Sequence, residues 1–366
     1  MRTAIRSLVA GLVIALSVAA QPADDLKKLR ELGLPEAPGS MPVIYVASAK
    51  ERALRFQKSL EAAQSWYEKQ LKVRVPIVLA VLDPETRQKI SDPMIIPHNF
   101  VWGMPGAAQG VVVIPANGGA PSAVPAVHPE FLLHEPAAFH EVGHIIAYRL
   151  NIRSGNQFVN ELVAQMFAVA YMKAERPDLN WVLDNLRDGR TTQTAPRYTS
   201  LADLDYLYTA VGDANYVWFQ QAGLGRLAYF LVIDQSFPAV IEKLQKAFPT
   251  ADAKQETIED ISRHLEGIRP GFLKEAGSLA GPTTIPSISP SACPELTKGG
   301  GRSYLVVRNN TADSLALTNL DGPNSLSIPA HSWRTLNVRV GALLKLRDGT
   351  CLVARDEPSL AVIDRQ

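Results

Sequence analysis

The sequence has few cysteines, no excess of either charge and no internal repeats. Its two cysteines, Cys293 and Cys351, favour one disulfide over a metal site or a redox pair. Lys and Arg number 37 against 36 Asp and Glu, so the charge balance does not favour nucleic acid or an anionic membrane as a partner. The 366 residues are 46% hydrophobic, which is enough to bury a substantial core in two or three domains.

Long apolar runs are also scarce, and the clearest one lies at the N-terminus. Arg2 and Arg6 precede it, it runs from Leu8 to Leu16, and small residues follow it at 17–20. This pattern predicts a signal peptide over residues 1–20, because the run is too short to span a bilayer comfortably. No cysteine follows it, which argues against lipid attachment. We therefore expect an exported protein, periplasmic or extracellular, with no stable membrane insertion after cleavage.

Export is consistent with pairing of the two cysteines. Cys293 and Cys351 both lie in the C-terminal part of the chain. An oxidising compartment allows them to form a disulfide, and closing a loop of this size stabilises the segment by about 4 kcal/mol in the chain-entropy model.

The strongest motif in the chain is His140-Glu141-Val142-Gly143-His144. On a helix, His140 and His144 lie about 40° apart and one turn apart, so both imidazoles can bind one ion. Glu141 projects about 80° to one side, where its carboxylate can take a proton from a water on the metal. This spacing is typical of a zinc hydrolase, and the alternative is an amphipathic helix with two exposed histidines. The residues predicted to face the core are apolar: Phe139, Val142 and Ile146.

A second helix is predicted shortly after the motif. The polar stretch 151–156 predicts a turn with Asn156 as N-cap, and residues 157–173 are rich in helix-forming apolar residues. Two helices joined by so short a turn pack antiparallel. We therefore expect Glu161 to lie beside His140 and His144, which gives two nitrogens, one oxygen and an open fourth position. That is the pattern of catalytic rather than structural zinc sites.

These residues carry a family resemblance. His140-Glu141-x-x-His144 with Asn160-Glu161-x-x-Ala164 resembles the gluzincin metallopeptidases, which include thermolysin-like and aminopeptidase N-like enzymes. The resemblance covers roughly residues 131–172. It implies one Zn²⁺ per chain, bound by His140, His144 and Glu161, with Glu141 as the general base.

The chain departs from the thermolysin-like pattern at two points. The gap between His144 and Glu161 is shorter than usual, and Gln165 stands where those enzymes place an acidic residue behind a zinc-binding histidine. A neutral amide can accept the imidazole N–H but raises ligand basicity less. Ala164 matches the aminopeptidase-like variant better. The resemblance implies that Gln165 and Asn160 support the ligands from behind.

The same resemblance suggests where a substrate would bind. The segment Gly110-Val111-Val112-Val113-Ile114-Pro115 predicts a strand. In zincin folds an edge strand pairs with the extended substrate, so Val112, Val113 and Ile114 are candidate substrate-binding residues. A core strand with no substrate role is the alternative. The segment Trp102 to Ala107 predicts a loop near the cleft.

Gluzincins also use a downstream Tyr or His to stabilise the oxyanion. Tyr216 is the first candidate because it opens the apolar run 217–219, and a core or rim position is the alternative. The other candidates are Tyr206, Tyr208 and His264.

Three polar residues precede the motif: His128, His134 and Glu135. They either line the mouth of the site or, in the case of His134 and Glu135, serve the N-terminus of the zinc helix.

Together these features predict an α+β fold in four parts. A signal peptide (1–20) precedes a zincin-like metallopeptidase domain (21–275), which has an N-terminal mixed sheet and a helical part. A linker rich in Pro, Ser and Gly (276–292) follows, and short apolar runs between turns predict a small all-β sandwich or barrel domain (293–366). The last domain contains a glycosylation sequon, Asn309-Asn310-Thr311.

The sequence therefore predicts an exported zinc metallopeptidase that acts on a peptide or protein substrate through metal-activated water. Two alternatives stay open. One is a catalytically silent binding or scaffolding protein, and the other is a zinc hydrolase of a non-peptide amide. All three predicted metal ligands and the predicted general base are present, which argues against the silent alternative: His140, His144, Glu161 and Glu141.

Overall fold

The structure, a computed structural model, divides into two compact units. It describes residues 22–90, 101–104, 109–117, 130–189, 197–207, 218–219, 223–249, 255–279, 284–295, 300–320 and 325–364. The first unit comprises residues 1–154, 159–192 and 221–253, and the second comprises 155–158, 193–220 and 254–366. The predicted signal peptide, His128, Tyr208 and Tyr216 lie outside the described residues.

The first unit contains a five-stranded mixed sheet in the order β1-β2-β3-β5-β4. Strands β2, β3 and β5 are mutually parallel, whereas β1 and β4 pair antiparallel at the two edges. Residues of β3 and β5 are apolar without alternation and are buried throughout, as expected of central parallel strands covered on both faces. The strands are β1 (Glu36–Ala37), β2 (Val43–Tyr45), β3 (Ile77–Leu82), β4 (Trp102–Met104) and β5 (Gly110–Pro115).

The edge position predicted for Val112, Val113 and Ile114 is wrong. These residues lie in β5 between β3 and β4, and none of the three is exposed to solvent. Their continuous apolar sequence is that of a core strand, which was the alternative. The edge strand beside β5 is β4, because Trp102–Met104 pairs antiparallel with Val111–Val113. This strand is part of the segment predicted as a loop.

Helices cover the first unit's sheet and form most of the rest of that unit. Tyr67 on the second helix lies in an aromatic cluster with Phe167 and Phe237, and its hydroxyl donates to the carbonyl of Phe167 at 2.9 Å. These contacts hold three helices of this unit together. Among the described residues, the helices are α1 (Pro22–Glu31), α2 (Lys50–Leu71), α3 (Pro84–Ile90), α4 (Glu130–Arg149), α5 (Gln157–Glu175), α6 (Asn180–Arg187), α7 (Leu201–Tyr206), α8 (Leu224–Val232), α9 (Phe237–Ala247), α10 (Ile258–Ile268) and α11 (Phe272–Gly277). Short 3₁₀ turns precede α2 and α6.

The second unit contains α7, α10, α11 and two four-stranded sheets that face each other across one apolar core. One sheet has the order β10-β7-β13-β6, and the other has the order β12-β11-β8-β9. Leu305 and Ala361 of the first sheet share a core with Leu317 and Leu352 of the second, so this part is a small β-sandwich. Its strands are β6 (Ser287–Ile288), β7 (Arg302–Asn309), β8 (Leu315–Asn319), β9 (Ser325–Ile328), β10 (Ser332–Arg339), β11 (Leu343–Lys345), β12 (Cys351–Val353) and β13 (Ser359–Ile363).

The segment predicted as a linker contributes to the sandwich. Ser287–Ile288 forms β6 and pairs parallel with β13. Ile285 and Ile288 are buried, so two isolated apolar residues anchor a stretch whose Pro and Ser content predicts little structure. Residues 254–275, predicted to belong to the metallopeptidase domain, group with the second unit.

Two sequence features of the β-sandwich have clear structural outcomes. Cys293 and Cys351 form the predicted disulfide. Asn309 of the sequon is fully buried, and its side-chain amide donates to the carbonyls of Asp313, Ile328 and Pro329. A side chain enclosed in this way is inaccessible to glycosylation. Asn309 instead links three backbone segments of the sandwich through its hydrogen bonds.

Within the described part of the chain, no single helix has both the length and the apolar character needed to cross a membrane. Helices α8 and α9 reach that threshold only when they are taken together, and they are bent by 115° at the break between them.

Candidate metal centre

The motif His140-Glu141-Val142-Gly143-His144 lies on α4, as predicted. The apolar face expected to anchor this helix is buried: Phe139 and Val142 are fully enclosed and Ile146 is 2% exposed. The imidazoles of His140 and His144 project from another face with ring centroids 4.7 Å apart. Anchoring and ligand-bearing faces are therefore separate, which leaves both imidazoles available to one ion.

Glu161 on α5 completes a group of three donors. Its Oε2 lies 3.0 Å from His140 Nε2, and its Oε1 lies 3.2 Å from His144 Nε2. One ligand atom from each residue can be chosen so that all lie within 4.8 Å of one another. Two imidazole nitrogens and a carboxylate oxygen are a donor set of catalytic zinc sites, and the two Nε2 atoms converge on the same carboxylate. The residues present therefore fit a zinc ion.

The close approach of α4 and α5 depends on Gly143. A Cβ atom at this position would lie 2.7 Å from the carbonyl oxygen of Ala164 and 2.9 Å from Cβ of Phe167. Any larger residue would push α5 away and withdraw Glu161 from the imidazoles. The missing side chain and the small Ala164 thus allow the short distances in the donor group.

Gln165 lies one turn beyond Glu161 and contacts His140 from behind. Its Oε1 lies 2.9 Å from Nδ1 of His140, so an imidazole with its proton on Nδ1 donates to this amide and leaves the lone pair of Nε2 available to a metal.

Asn160, predicted alongside Gln165, contacts the turn before α5. Its Oδ1 accepts from the backbone N–H of Ser154 at 2.9 Å, and its Nδ2 donates to the carbonyl of Ser154 at 3.0 Å. These paired bonds close the turn that leads from α4 into α5. Asn160 therefore supports Glu161 indirectly, because it fixes the turn from which α5 begins.

The cap of α5 also differs from the prediction. Asn156 is fully buried and binds the backbone of Glu256 through both its Oδ1 and its Nδ2. The N–H of Phe158 donates to the carboxylate of Asp205 at 2.8 Å. Burial raises the pKa of Asp205 to about 6, against the hydrogen bonds that favour its carboxylate. Sequence spacing could not identify Asp205, which is distant along the chain.

The site holds two carboxyl groups, Glu161 in the donor group and Glu141 beside it, and their pKa values shift in opposite directions. Burial alone would raise the pKa of Glu161, but the imidazoles of His144 and His140 hold it well below its usual range. Burial raises the pKa of Glu141 to about 8; His140 lowers this pKa, and Glu161 raises it. The two carboxyls therefore differ in proton affinity although they belong to one site.

Glu141 points toward the edge strand β4. The backbone N–H of Gly103 hydrogen-bonds to its carboxylate. A Cβ atom at Gly103 would lie 3.0 Å from the Cβ, the carbonyl oxygen and the Oε2 of Glu141. Gly103 thus lets the edge strand approach Glu141 directly. Residues 102–107 are predicted to form a loop, but Trp102–Met104 forms a strand that pairs with β5.

His134 and Glu135 are buried at 2% exposure each and belong to separate contacts behind the site. Nδ1 of His134 lies 2.7 Å from Nη2 of Arg52. Glu135 forms an ion pair with Arg176, which the sequence does not single out. Neither residue lines the mouth of the site, so that alternative is wrong.

The two described candidates for an oxyanion donor both belong to the second unit. Tyr206 packs edge-to-face against Trp333, and burial raises its pKa. His264 lies 3.5 Å from Glu256. Both contacts are with residues of the second unit. Tyr216, the first candidate, stays a prediction outside the described residues.

Comparison with known proteins gives structural matches only. No family model and no curated protein sequence matches the chain. The chain is similar to aminopeptidase A of Legionella pneumophila, solved in complex with aspartic acid, at 17% identity and a TM-score of 0.39, covering 82% of this chain and 34% of that one. It is also similar to an aminopeptidase N family protein of Idiomarina loihiensis at 12% identity and a TM-score of 0.42, covering 84% and 56%. The chain thus matches about a third and just over half of the lengths of these two proteins.

Proposed function

We propose that this chain is an exported zinc-dependent peptidase that hydrolyses peptide bonds. The observation that carries the proposal is the convergence of His140, His144 and Glu161, with imidazole-to-carboxylate distances of 3.0 and 3.2 Å. Three protein donors leave room for a water, which is the arrangement of a catalytic rather than a structural site.

His140, His144 and Glu161 would hold one zinc ion through two nitrogens and an oxygen. When bound, zinc supplies a Lewis acid that lowers the pKa of a bound water and polarises a carbonyl oxygen. Gln165 keeps the proton of His140 on Nδ1, so that Nε2 stays available. The negative Glu161 balances part of the charge of a dication.

Glu141 is placed to handle the proton of the reaction. It lies beside the donor group on α4 and does not belong to it, so its carboxylate can take a proton from the attacking water and deliver it to the leaving amine. The N–H of Gly103 restrains this carboxylate on the side of β4.

An extended peptide would pair with the outer side of β4, the last strand of this sheet among the described residues. β4 is an edge strand, and its middle residue, Gly103, directly adjoins Glu141. Strand addition there would place a backbone carbonyl near the general base through main-chain hydrogen bonds, which accept many sequences. Strand β4 thus takes the substrate-binding role predicted for residues 112–114 of β5.

The proposed location outside the cytoplasm rests on the disulfide and on the N-terminal sequence pattern. Cys293 and Cys351 are paired, as in proteins of oxidising compartments. Residues 1–20 keep their interpretation as a signal peptide.

The experiment compares wild type with Glu141→Gln. Zinc per chain is measured by mass spectrometry, and hydrolysis by digestion of a peptide library. Wild type should hold one zinc and cleave peptides, whereas Glu141→Gln should keep zinc and lose at least about 100-fold in rate, the scale of a missing general base. Glu85→Gln, an exposed carboxylate on α3, is the matched control and should behave as wild type.

The result also decides between the alternatives. Wild type that holds zinc and cleaves an amide of another class would favour the non-peptide hydrolase. Zinc without any hydrolysis would favour a binding or scaffolding protein. Wild type without zinc would refute the proposal.

A further inference from the structure

A buried ion pair joins α4 and the end of α5 on the side of the molecule behind the donor group. Arg176 follows α5 directly, and its Nη1 and Nη2 lie 2.7 and 2.8 Å from Oε1 and Oε2 of Glu135 on α4. The hydroxyl of Ser59 on α2 donates to the same carboxylate. We call Glu135, Arg176 and Ser59 the Arg176 clamp.

The ion pair of the clamp is bidentate and largely shielded from water. Glu135 is 2% exposed and the Arg176 side chain 18% exposed, and the guanidinium also stacks over the Phe139 ring at 5.7 Å. Its remaining partner is Asp178, whose side chain is 54% exposed. The two carboxylates raise the pKa of Arg176 above its ordinary value, so its charge is fixed. A bidentate pair of this kind accepts only a narrow range of positions for its two partners.

The α4–α5 interface has other contacts besides the clamp. They include the close approach of Gly143 to Ala164, the hydrogen bond between His140 and Gln165, and the edge-to-face contact of Phe139 with Tyr171. The apolar aromatic contact can re-form after a shift along the helix axis. The contact of Glu161 with two imidazoles cannot survive a shift of one helical turn, which is about 5.4 Å, because the observed distances are 3.0 and 3.2 Å.

The clamp lies where it can fix that register. Glu135 precedes His140 on α4, while Arg176 lies beyond Glu161 and Gln165 along α5, so the antiparallel pair is held at its far end. Buried ion pairs add little net stability compared with apolar residues of similar volume, and specifying register is their best-attested use.

We propose that Glu135 and Arg176 are positioning residues that set the register of α4 against α5 and thereby hold Glu161 on the two imidazoles. The inference rests on the proposed zinc site and identifies what maintains its geometry. It assigns no contact with substrate or metal to the clamp.

The test replaces the pair rather than breaking it. Glu135→Met with Arg176→Met removes both charges together, which avoids an uncompensated buried charge and should keep the fold. Zinc affinity is measured by competition with a chelator, and Co²⁺ replaces zinc as a reporter of ligand geometry through its visible absorption. We expect thermal unfolding close to that of wild type, a zinc dissociation constant at least about 10-fold higher, the scale found when support of metal ligands is lost, and an altered Co²⁺ spectrum.

Asp178→Asn is the matched control, because it removes the negative charge of the exposed partner of Arg176 and keeps both members of the buried pair, Glu135 and Arg176. It should keep the zinc affinity and Co²⁺ spectrum of wild type. Arg176→Lys keeps a charge beside Glu135 but loses the bidentate geometry, and it should weaken zinc binding by a smaller factor. It decides the question if the double variant fails to fold.

Wild-type zinc affinity and Co²⁺ spectrum in the folded double variant would overturn the inference and leave the proposed function standing. The same result in Arg176→Lys would overturn it if only that variant folds. Wild type that binds no zinc would overturn both. Equal weakening in Asp178→Asn and the double variant would also overturn it, because the effect would then not depend on the buried pair.

Discussion

Single residues decide whether the donor group can hold a metal. Gln165 contacts His140 Nδ1 at 2.9 Å, and Gly143 leaves the space in which α5 approaches. Glu141 lies next to the donor group and the edge strand but is not one of the three donors. The geometry of the site therefore depends on the neutral amide of Gln165 and the missing side chain of Gly143 as much as on the ligands.

Gln165 should tune zinc affinity through His140. Gln165→Ala removes the acceptor for the Nδ1 proton and should raise the zinc dissociation constant by about 10-fold, whereas Gln165→Glu should lower it because a carboxylate makes the imidazole more basic. Chelator competition measures both. Equal affinities in wild type and the two variants would show that the contact does not orient the ligand.

His134 should make the first unit sensitive to acid. Burial lowers the pKa of His134 to about 4, with Arg52 and Arg87 lowering it further, against about 6.5 in the unfolded chain. Its contribution to stability is therefore present above pH 6.5 and is lost as pH falls through 4. Two and a half pKa units correspond to about 3 kcal/mol in total.

The measurement is urea unfolding of metal-free protein at pH 7 and pH 4.5. Wild type should lose about 2 kcal/mol more than His134→Gln between these values, because the glutamine cannot titrate. If the two proteins show the same loss, the imidazole does not carry the penalty.

At the scale of elements, the site is a helix pair beside a sheet edge. Helix α4 packs with its apolar face inward, α5 returns antiparallel through a turn closed by Asn160 and Ser154, and β4 places Gly103 against Glu141. The distances among donors follow from how closely these elements approach.

Gly143→Ala should separate the two helices. The new Cβ would meet a backbone carbonyl at 2.7 Å, which cannot move aside as a flexible side chain would. We expect a loss of about 2 kcal/mol in the free energy of unfolding and a clear loss of zinc affinity. Gly267→Ala in α10 is the control, because a Cβ there meets nothing within 4 Å and alanine favours a helix. A Gly143→Ala protein with wild-type stability and zinc content would contradict the packing described.

Much of this element-scale picture could be predicted from the sequence. The helix pair and the spacing of the ligands follow from helical periodicity, the apolar run at 110–115 predicts a strand, and the turn before α5 follows from its polar residues. The position of β5 could not be predicted from its own residues, because strand order depends on which partners pair with it. The Glu135–Arg176 and Phe158–Asp205 contacts join residues distant along the chain, and no local pattern indicates them.

The whole molecule combines two units of different construction. The first has a mixed sheet with helices and carries the donor group, and the second has a disulfide-linked β-sandwich. Short apolar runs between turns predict the sandwich, but they do not predict the pairing of β13 with two strands distant along the chain. The linker prediction failed for a related reason, since only pairing with β13 reveals β6.

Removing the disulfide should destabilise the second unit. Cys293→Ser with Cys351→Ser should lower the free energy of unfolding of this unit by about 2–4 kcal/mol, because the loop is no longer closed in the unfolded chain. Zinc content should stay at the wild-type level, since the donor group lies in the first unit. Calorimetry and zinc analysis check the two statements. Unchanged unfolding would show that the disulfide is not a main support of the sandwich.

The most direct test of the proposed zinc site is a crystal structure of zinc-loaded protein with anomalous diffraction data collected at the zinc edge. We expect one zinc peak per chain within bonding distance of His140 Nε2, His144 Nε2 and a carboxylate oxygen of Glu161, with a water completing the coordination. A peak at other residues, or no peak between these three side chains under zinc loading, would contradict it.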